Sequence, residues 1–145
     1  MQLFLLIGQS NMAGRGKVEP MDEMTNPRLF MLTKEREWVP AKDPLHFDKP
    51  VAGVGPGLEF ARTLVAADPK ITVGLIPCAV GGTALEKWKV GGELYTAAIA
   101  RAREAMKSGT LAGILWHQGE SDKTHEQITT YGDRFAAMIR QLRKD

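Results

Sequence analysis

Three short stretches of the chain combine polar side chains with glycine in a way that suits catalysis. They are Gly8-Gln9-Ser10-Asn11-Met12-Ala13-Gly14, Pro77-Cys78-Ala79-Val80-Gly81-Gly82-Thr83 and Trp116-His117-Gln118-Gly119-Glu120-Ser121-Asp122. Each directly follows an apolar run that is typical of a buried strand. Because the carboxyl ends of parallel strands meet at one edge of a sheet, we expect the three stretches to converge there.

The first stretch places a serine in a tight turn after a strand. That arrangement lifts the Ser10 hydroxyl above the sheet edge, where it can attack a substrate. The stretch is not a Gly-x-Ser-x-Gly elbow, because Met12 occupies the last glycine position. It is not a phosphate loop either, because Arg15 follows Gly14 where lysine is required. A serine that merely caps the next helix is the alternative, and the local pattern leaves both roles open.

The second stretch carries paired glycines, Gly81 and Gly82. Without side chains, their backbone N–H groups can approach a ligand closely and receive an oxyanion. An ordinary glycine turn that leads into the next helix is the alternative.

The third stretch concentrates donors, acceptors and carboxylates in one loop. The neutral amide of Gln118 can donate to a developing oxyanion, and Glu120 or Asp122 can orient a histidine or a loop. The alternative is a helix N-terminus with acidic caps.

The elements that must position these stretches follow from hydrophobic periodicity. The apolar runs 3–7, 71–76 and 111–116 lack strict alternation, which indicates parallel strands that are covered on both faces. Helical spacing recurs over 58–67, 94–106 and 126–142. Alternating strands and helices predict an α/β fold, a three-layer αβα sandwich with right-handed crossovers.

The proline-rich segment 15–56 is irregular apart from a predicted short hairpin over 29–32 and 37–39. Such a long connection either shapes a binding cleft or is a plain surface excursion.

Composition narrows the class of protein. The 145 residues, 43% hydrophobic and 25% charged, predict one soluble globular domain, residues 1–145. The net charge of +2 is scattered, so neither a nucleic acid nor a membrane is an expected partner. Cys78 is the only cysteine, which excludes an internal disulfide and a thiolate zinc site. The run 3–7 is too short for a secretory signal, and no stretch approaches the ~20 apolar residues of a membrane span.

The three stretches, taken in order, resemble the SGNH hydrolases, particularly the branch with sialate O-acetylesterases and carbohydrate esterase family 6 acetylxylan esterases. The run from Gly8 to Gly16 is similar to the nucleophile block of that family, and the run from Trp116 to Asp122 to its most distinctive later block. The stretches 54–61 and 79–83, with Trp88 following, are also similar, so the resemblance spans nearly the whole chain.

The resemblance implies a flavodoxin-like SGNH fold with a central parallel sheet, in which the strand order 2-1-3 is present and strands 4 and 5 are missing. It also implies a serine esterase in which Ser10 attacks an ester carbonyl. The N–H groups of Ser10 and Gly82 and the side chain of Gln118 would hold the oxyanion, and Glu120 would support the site. No metal or cofactor is implied, and the expected substrate is an acetylated carbohydrate, against which Trp38, Trp88 or Trp116 would stack unless they belong to the core.

The catalytic base of the family is a histidine near the C-terminus, preceded three residues earlier by aspartate. The chain ends at Asp145 without such a block, so we expect it to be the N-terminal portion of a longer protein. Asp43-Pro44-Leu45-His46 has the same spacing but lies in the irregular segment, where we expect His46 to face solvent or substrate; it is retained as the alternative base. His117 is expected to be a packed polar residue, and His125 to begin an exposed helix.

Two further expectations follow. The strand 111–116 would form an open sheet edge, which a homodimer or another partner would cover. An inactive fragment or a non-catalytic carbohydrate- or ester-binding protein is the alternative to the esterase, since no base is evident. A nucleotide-binding domain fits less well, because Gly53-x-Gly55-x-Gly57 follows no strand.

Overall fold

The computed structural model describes all of residues 1–145. Its strands are β1 (Gln2–Gly8), β2 (Leu29–Leu32), β3 (Trp38–Pro40), β4 (Val73–Pro77) and β5 (Thr110–His117). Its helices are α1 (Ser10–Ala13), α2 (Pro56–Ala67), α3 (Glu93–Ala105) and α4 (His125–Leu142), with a 3-10 helix at Leu85–Trp88. The three predicted strands and the three predicted helices are all present, with bounds shifted by a few residues.

One five-stranded sheet has the order β3-β2-β4-β1-β5. β1 pairs in parallel with β4 and with β5, which confirms the predicted order 2-1-3 of the three apolar strands. β5 is the edge strand on that side.

The predicted hairpin in the irregular segment forms as β2 and β3, but it also joins the sheet. β2 runs parallel beside β4, and β3 adds an antiparallel edge, so the sheet is mostly and not wholly parallel. The apolar side chains of Leu29 and Leu32 are buried in the two halves of the core, which explains why this short strand docks there.

Helices cover both faces of the sheet, as a three-layer sandwich requires. Along β1, Leu3, Leu5 and Ile7 face the core beneath α3 and α4, whereas Phe4 and Leu6 face the core beneath α1 and α2. This alternation explains why the strand reads as a continuous apolar run: both of its faces are buried.

Local signals set two of the helix starts. Pro56 occupies the first turn of α2, where its missing N–H costs no hydrogen bond. The Thr124 side chain accepts from the Gln127 N–H while the Gln127 side chain accepts from the Thr124 N–H, a capping box that begins α4. None of the helices is long and apolar enough to cross a bilayer.

Candidate active site

Ser10 begins α1, directly beyond the end of β1. Gly8 has φ +135°, and a Cβ at this position would lie 2.2 Å from the His117 carbonyl oxygen, so only glycine fits. The Gln9 N–H donates to that same oxygen over 2.9 Å. Ser10 is half-buried, and its N–H lies in the first helical turn, where no intrahelical acceptor exists.

The loop after β4 lies beside this turn and carries an unpaired amide. The Val80 N–H donates to the Gly8 carbonyl oxygen over 3.0 Å and so joins the two loops. Gly82 is exposed with φ +79°, and its N–H donates to no acceptor in the protein. A free donor is therefore available next to the turn that carries Ser10.

The amide of Gln118 lies between the loops. Its Nε2 is 2.7 Å from Asp122 Oδ2, 2.9 Å from the Thr83 carbonyl oxygen and 3.1 Å from Gln9 Oε1. Its Oε1 accepts from the Tyr131 hydroxyl over 2.7 Å. Nε2 has two hydrogens and three protein acceptors, so Gln118 ties all three loops together and has no hydrogen to spare.

Glu120 connects the third loop to the turn that carries Ser10. The Asn11 side-chain amide donates to Glu120 Oε1, and His117 Nε2 lies 4.0 Å from the same oxygen. The carboxylate thus fixes the residue that follows Ser10.

Asp122 is the buried acid of this block. Its side chain is 2% exposed, and Oδ2 accepts from the Leu85 N–H over 2.9 Å as well as from Gln118. Asp122 therefore anchors the 3-10 helix to the third loop. The sequence pointed to the right block but gave no sign of which of its two acids turns inward.

Asp48 and Arg15 form a second buried link that sequence reasoning missed. Asp48 Oδ2 accepts from Arg15 over 2.7 Å and from the Gly81 N–H over 2.8 Å, and the Asp48 side chain is 1% exposed. Burial raises the pKa of Asp48, but the hydrogen bonds from Arg15 and Gly81 outweigh it and hold the pKa below its ordinary value. Segment 15–56 thus reaches the edge of the site. Arg15 itself lies in the run from Gly8 to Gly16, which was singled out from the sequence.

For two of the three histidines, the surroundings differ from those that the sequence predicts. Of the two surroundings predicted for His46, solvent or substrate, solvent was wrong, because His46 is only 4% exposed. It lines a small cavity together with the C-terminal end of β4 and with α3, and its Nε2 has no partner. Burial lowers the pKa of His46 to about 4. His117 is exposed rather than packed, because it lies at the end of the edge strand β5, whereas His125 begins the exposed start of α4 as predicted. No histidine hydrogen-bonds to Ser10.

All three tryptophans contact the hydrophobic core, and Trp38 and Trp116 are only partly buried there. Trp88 is 1% exposed and packs edge-on against Trp116, with ring centroids 5.6 Å apart. Trp88 is therefore unavailable for a sugar ring. Trp116 is half-buried, packs against the same core and donates from Nε1 to the Tyr131 hydroxyl.

No group of three or more His, Cys, Asp or Glu side chains is placed to hold a metal ion. The donors gathered around Ser10 are backbone amides and a neutral side-chain amide, which suit an oxyanion.

Comparisons with known proteins agree with this arrangement. A protein of Arabidopsis thaliana named "Probable carbohydrate esterase At4g34215" is 37% identical over 166 residues, which cover 99% of this chain and 64% of that protein. Its X-ray structure superposes with a TM-score of 0.91 at 35% identity, covering 99% of this chain and 68% of that one. The chain thus spans 64% of the length of this curated relative.

Two more distant structures share the fold. NanS superposes with a TM-score of 0.82 at 20% identity, over 99% of this chain and 61% of that one. XAC1771, a carbohydrate acetylesterase from Xanthomonas citri, does so with a TM-score of 0.66 at 22% identity, over 99% and 38%. The family described as "Carbohydrate esterase, sialic acid-specific acetylesterase" matches residues 1–145. Because the match extends over the full length, the chain belongs to this carbohydrate esterase family.

Proposed function

We propose that the chain carries the nucleophile and the oxyanion donors of a serine esterase, which removes O-acetyl or similar short acyl groups from carbohydrates. The observation that carries the proposal is the position of Ser10. Ser10 lies two residues after Gly8, a position that only glycine can fill. Hydrogen bonds join its turn to both neighbouring loops, from Val80 on one side and to His117 on the other.

The reaction proceeds in two acyl transfers. Ser10 Oγ bonds to the ester carbonyl carbon and gives its proton to a base, and the carbonyl oxygen becomes an oxyanion. The N–H groups of Ser10 and Gly82 donate to that oxyanion. Collapse of the intermediate breaks the bond to the sugar oxygen, which leaves as a hydroxyl after taking the proton. Water then attacks the acyl-serine in the same way and releases the carboxylic acid.

Gln118 is the third donor in this proposal, with one condition. One Nε2 hydrogen must exchange its protein acceptor for the oxyanion, because all of its hydrogens are engaged. The contact with Gln9 Oε1, at 3.1 Å, is the longest of the three and the first to be given up. Glu120 supports the site by holding Asn11.

The proposed mechanism requires a catalytic base for Ser10, and no histidine of the chain hydrogen-bonds to Ser10. His46 has the right spacing from Asp43 but is buried, with no hydrogen bond to Ser10. This observation favours one second candidate function, a non-catalytic protein that binds acetylated carbohydrate without cleaving it, because a serine hydroxyl without a base is a poor nucleophile.

Hydrolysis of an aryl acetate, with and without added imidazole, separates the two. Imidazole substitutes for a missing base, so the esterase proposal predicts turnover that imidazole increases and that Ser10→Ala abolishes. Because free imidazole itself hydrolyses aryl acetates, the rate of the Ser10→Ala variant at each imidazole concentration is subtracted as background. His46→Gln leaves the imidazole-dependent rate unchanged if His46 is not the base. Equal rates for the parent chain and Ser10→Ala at every imidazole concentration, with retained binding of an acetylated sugar, would favour the binding protein.

A further inference from the structure

The loop that carries Gly82 is held from three directions. The Val80 N–H donates to the Gly8 carbonyl oxygen, and the Thr83 carbonyl oxygen accepts from Gln118. Between them, the Gly81 N–H donates to Asp48 over 2.8 Å. The Gly82 amide thus has no protein acceptor, although contacts made by Gly81 and Thr83 fix both of its neighbours.

Asp48 fixes the nucleophile turn as well as this loop. Arg15 donates to Asp48 Oδ2 over 2.7 Å and, through its other terminal nitrogen, to the Gly14 carbonyl oxygen over 2.6 Å. The Gly14 N–H in turn donates to the carbonyl oxygen of Ser10 in α1 over 2.9 Å. A single carboxylate therefore links the residue beside the free amide to the helical turn that begins with the serine.

The ion pair of Arg15 and Asp48 packs tightly against Gly81. A Cβ at Gly81 would lie 2.3 Å from the Arg15 guanidinium and 3.0 Å from Asp48 Oδ2. The space beside this glycine is thus already filled by the ion pair. Because the Asp48 side chain is 1% exposed, its charge requires these donors: a buried carboxylate without partners is strongly disfavoured.

We propose that Asp48, paired with Arg15, is a positioning residue of the esterase site, which sets the distance and direction of the Gly82 N–H relative to Ser10. Asp48 does not contact the reacting atoms; it acts through Gly81 and Arg15. The inference rests on the proposed function for the role of Gly82, whereas the holding of the loop by Asp48 is independent of it.

The test compares the parent chain with Asp48→Asn, which keeps the shape and removes the charge, and with Asp133→Asn, the same change at an exposed site on α4. Three quantities are measured: the heteronuclear NOE of the Gly82 amide and the hydrogen-exchange rate of the Gly81 amide, which donates to Asp48, by NMR, and the rate of Ser10 labelling by a fluorophosphonate. We expect lower order at Gly82 and faster exchange at Gly81 in Asp48→Asn only. We also expect its maximal labelling rate to fall by roughly 10- to 100-fold with unchanged affinity for the label, less than the 10²–10³ for deleting a donor.

The outcomes separate the two proposals. If the parent chain is labelled and Asp48→Asn is labelled equally fast with an unchanged NOE at Gly82, the positioning role is refuted. If the parent chain is not labelled at all, the proposed function fails, and the two amides alone decide: a lower NOE at Gly82 with faster exchange at Gly81 supports the role of Asp48, and an unchanged NOE at Gly82 overturns it. If Asp48→Asn does not fold, Arg15→Lys, which keeps the charge but loses the planar fork, replaces it under the same criteria.

Discussion

Gln118 Nε2 donates to Asp122 Oδ2 over 2.7 Å, a contact between two residues of the third loop. The same carboxylate oxygen accepts from the Leu85 N–H at the start of the 3-10 helix. Asp122 therefore orients the Gln118 amide, which is a donor in the proposed mechanism. The Asp122 side chain is itself buried and shielded from water.

Asp122→Ala is expected to destabilise the protein by about 1–3 kcal/mol, because it leaves the buried Leu85 N–H without an acceptor and removes the shortest hydrogen bond of Gln118 Nε2. Urea unfolding followed by circular dichroism measures the change. Glu120→Ala, which removes an exposed acid two residues away, is the matched control and should cost less. Equal losses in the two variants would contradict the anchoring role of Asp122.

Gly8→Ala is expected to destabilise the protein by several kcal/mol, because the new Cβ would collide with the His117 carbonyl at a φ that favours glycine. The control is Gly132→Ala. Gly132 lies inside α4 with open space around it, so alanine there should stabilise the helix by about 0.5–1 kcal/mol. Thermal unfolding of both variants gives the comparison, and a Gly8→Ala protein as stable as its parent would contradict the described turn.

His46 should make stability fall as the solution is acidified. Its pKa is 6.5 in the unfolded chain and about 4 when folded, so between these values the unfolded chain binds a proton that the folded chain does not. The contribution is full above pH 6.5 and is lost towards pH 4, by about 3 kcal/mol in total. Urea unfolding of His46→Gln should lack this component, and the exposed His125→Gln should keep it; a His46→Gln protein with the parent's pH dependence would refute the buried neutral histidine.

Asp43 should act in the opposite sense over nearly the same range. Burial, with a smaller contribution from the Asp22 charge, raises its pKa from 3.8 to about 6, so the folded chain holds a proton that the unfolded chain releases. Its contribution to stability is present below pH 3.8 and lost as the pH rises through 6, again by about 3 kcal/mol.

Asp43→Asn should therefore be more stable than the parent at pH 7.5, with the difference vanishing near pH 4. Because the parent contains both groups, their effects offset each other, and only the single variants expose each slope. If Asp43→Asn and Asp133→Asn show the same difference from the parent at both pH values, Asp43 does not have the raised pKa.

Much of this fold follows from local sequence pattern. The runs at β1, β4 and β5 are apolar without alternation because both faces of the sheet are buried, and helical spacing marks α2, α3 and α4. Since parallel strands end at one edge, the loops carrying Ser10, Gly82 and Gln118 were expected to meet, and hydrogen bonds between them confirm that they do.

The remaining features depend on contacts between distant residues. Arg15 and Asp48 are 33 positions apart in an irregular segment without periodicity, so their pairing has no local signature. His46 shares the Asp-x-x-His spacing of the family, but spacing does not reveal that its imidazole is buried. The docking of β2 beside β4 likewise depends on distant contacts, because Leu29 and Leu32 become buried in a core that other parts of the chain form.

The central claim is that Ser10 is a nucleophile, and its covalent labelling tests it most directly. The protein and its Ser10→Ala variant are incubated with a fluorophosphonate, with and without imidazole, and the modified peptide is identified by mass spectrometry. The account predicts a single adduct on Ser10, formed faster with imidazole and absent from the variant. An unlabelled Ser10 in a folded protein under both conditions, or equal labelling of the Ser10→Ala variant, would contradict it.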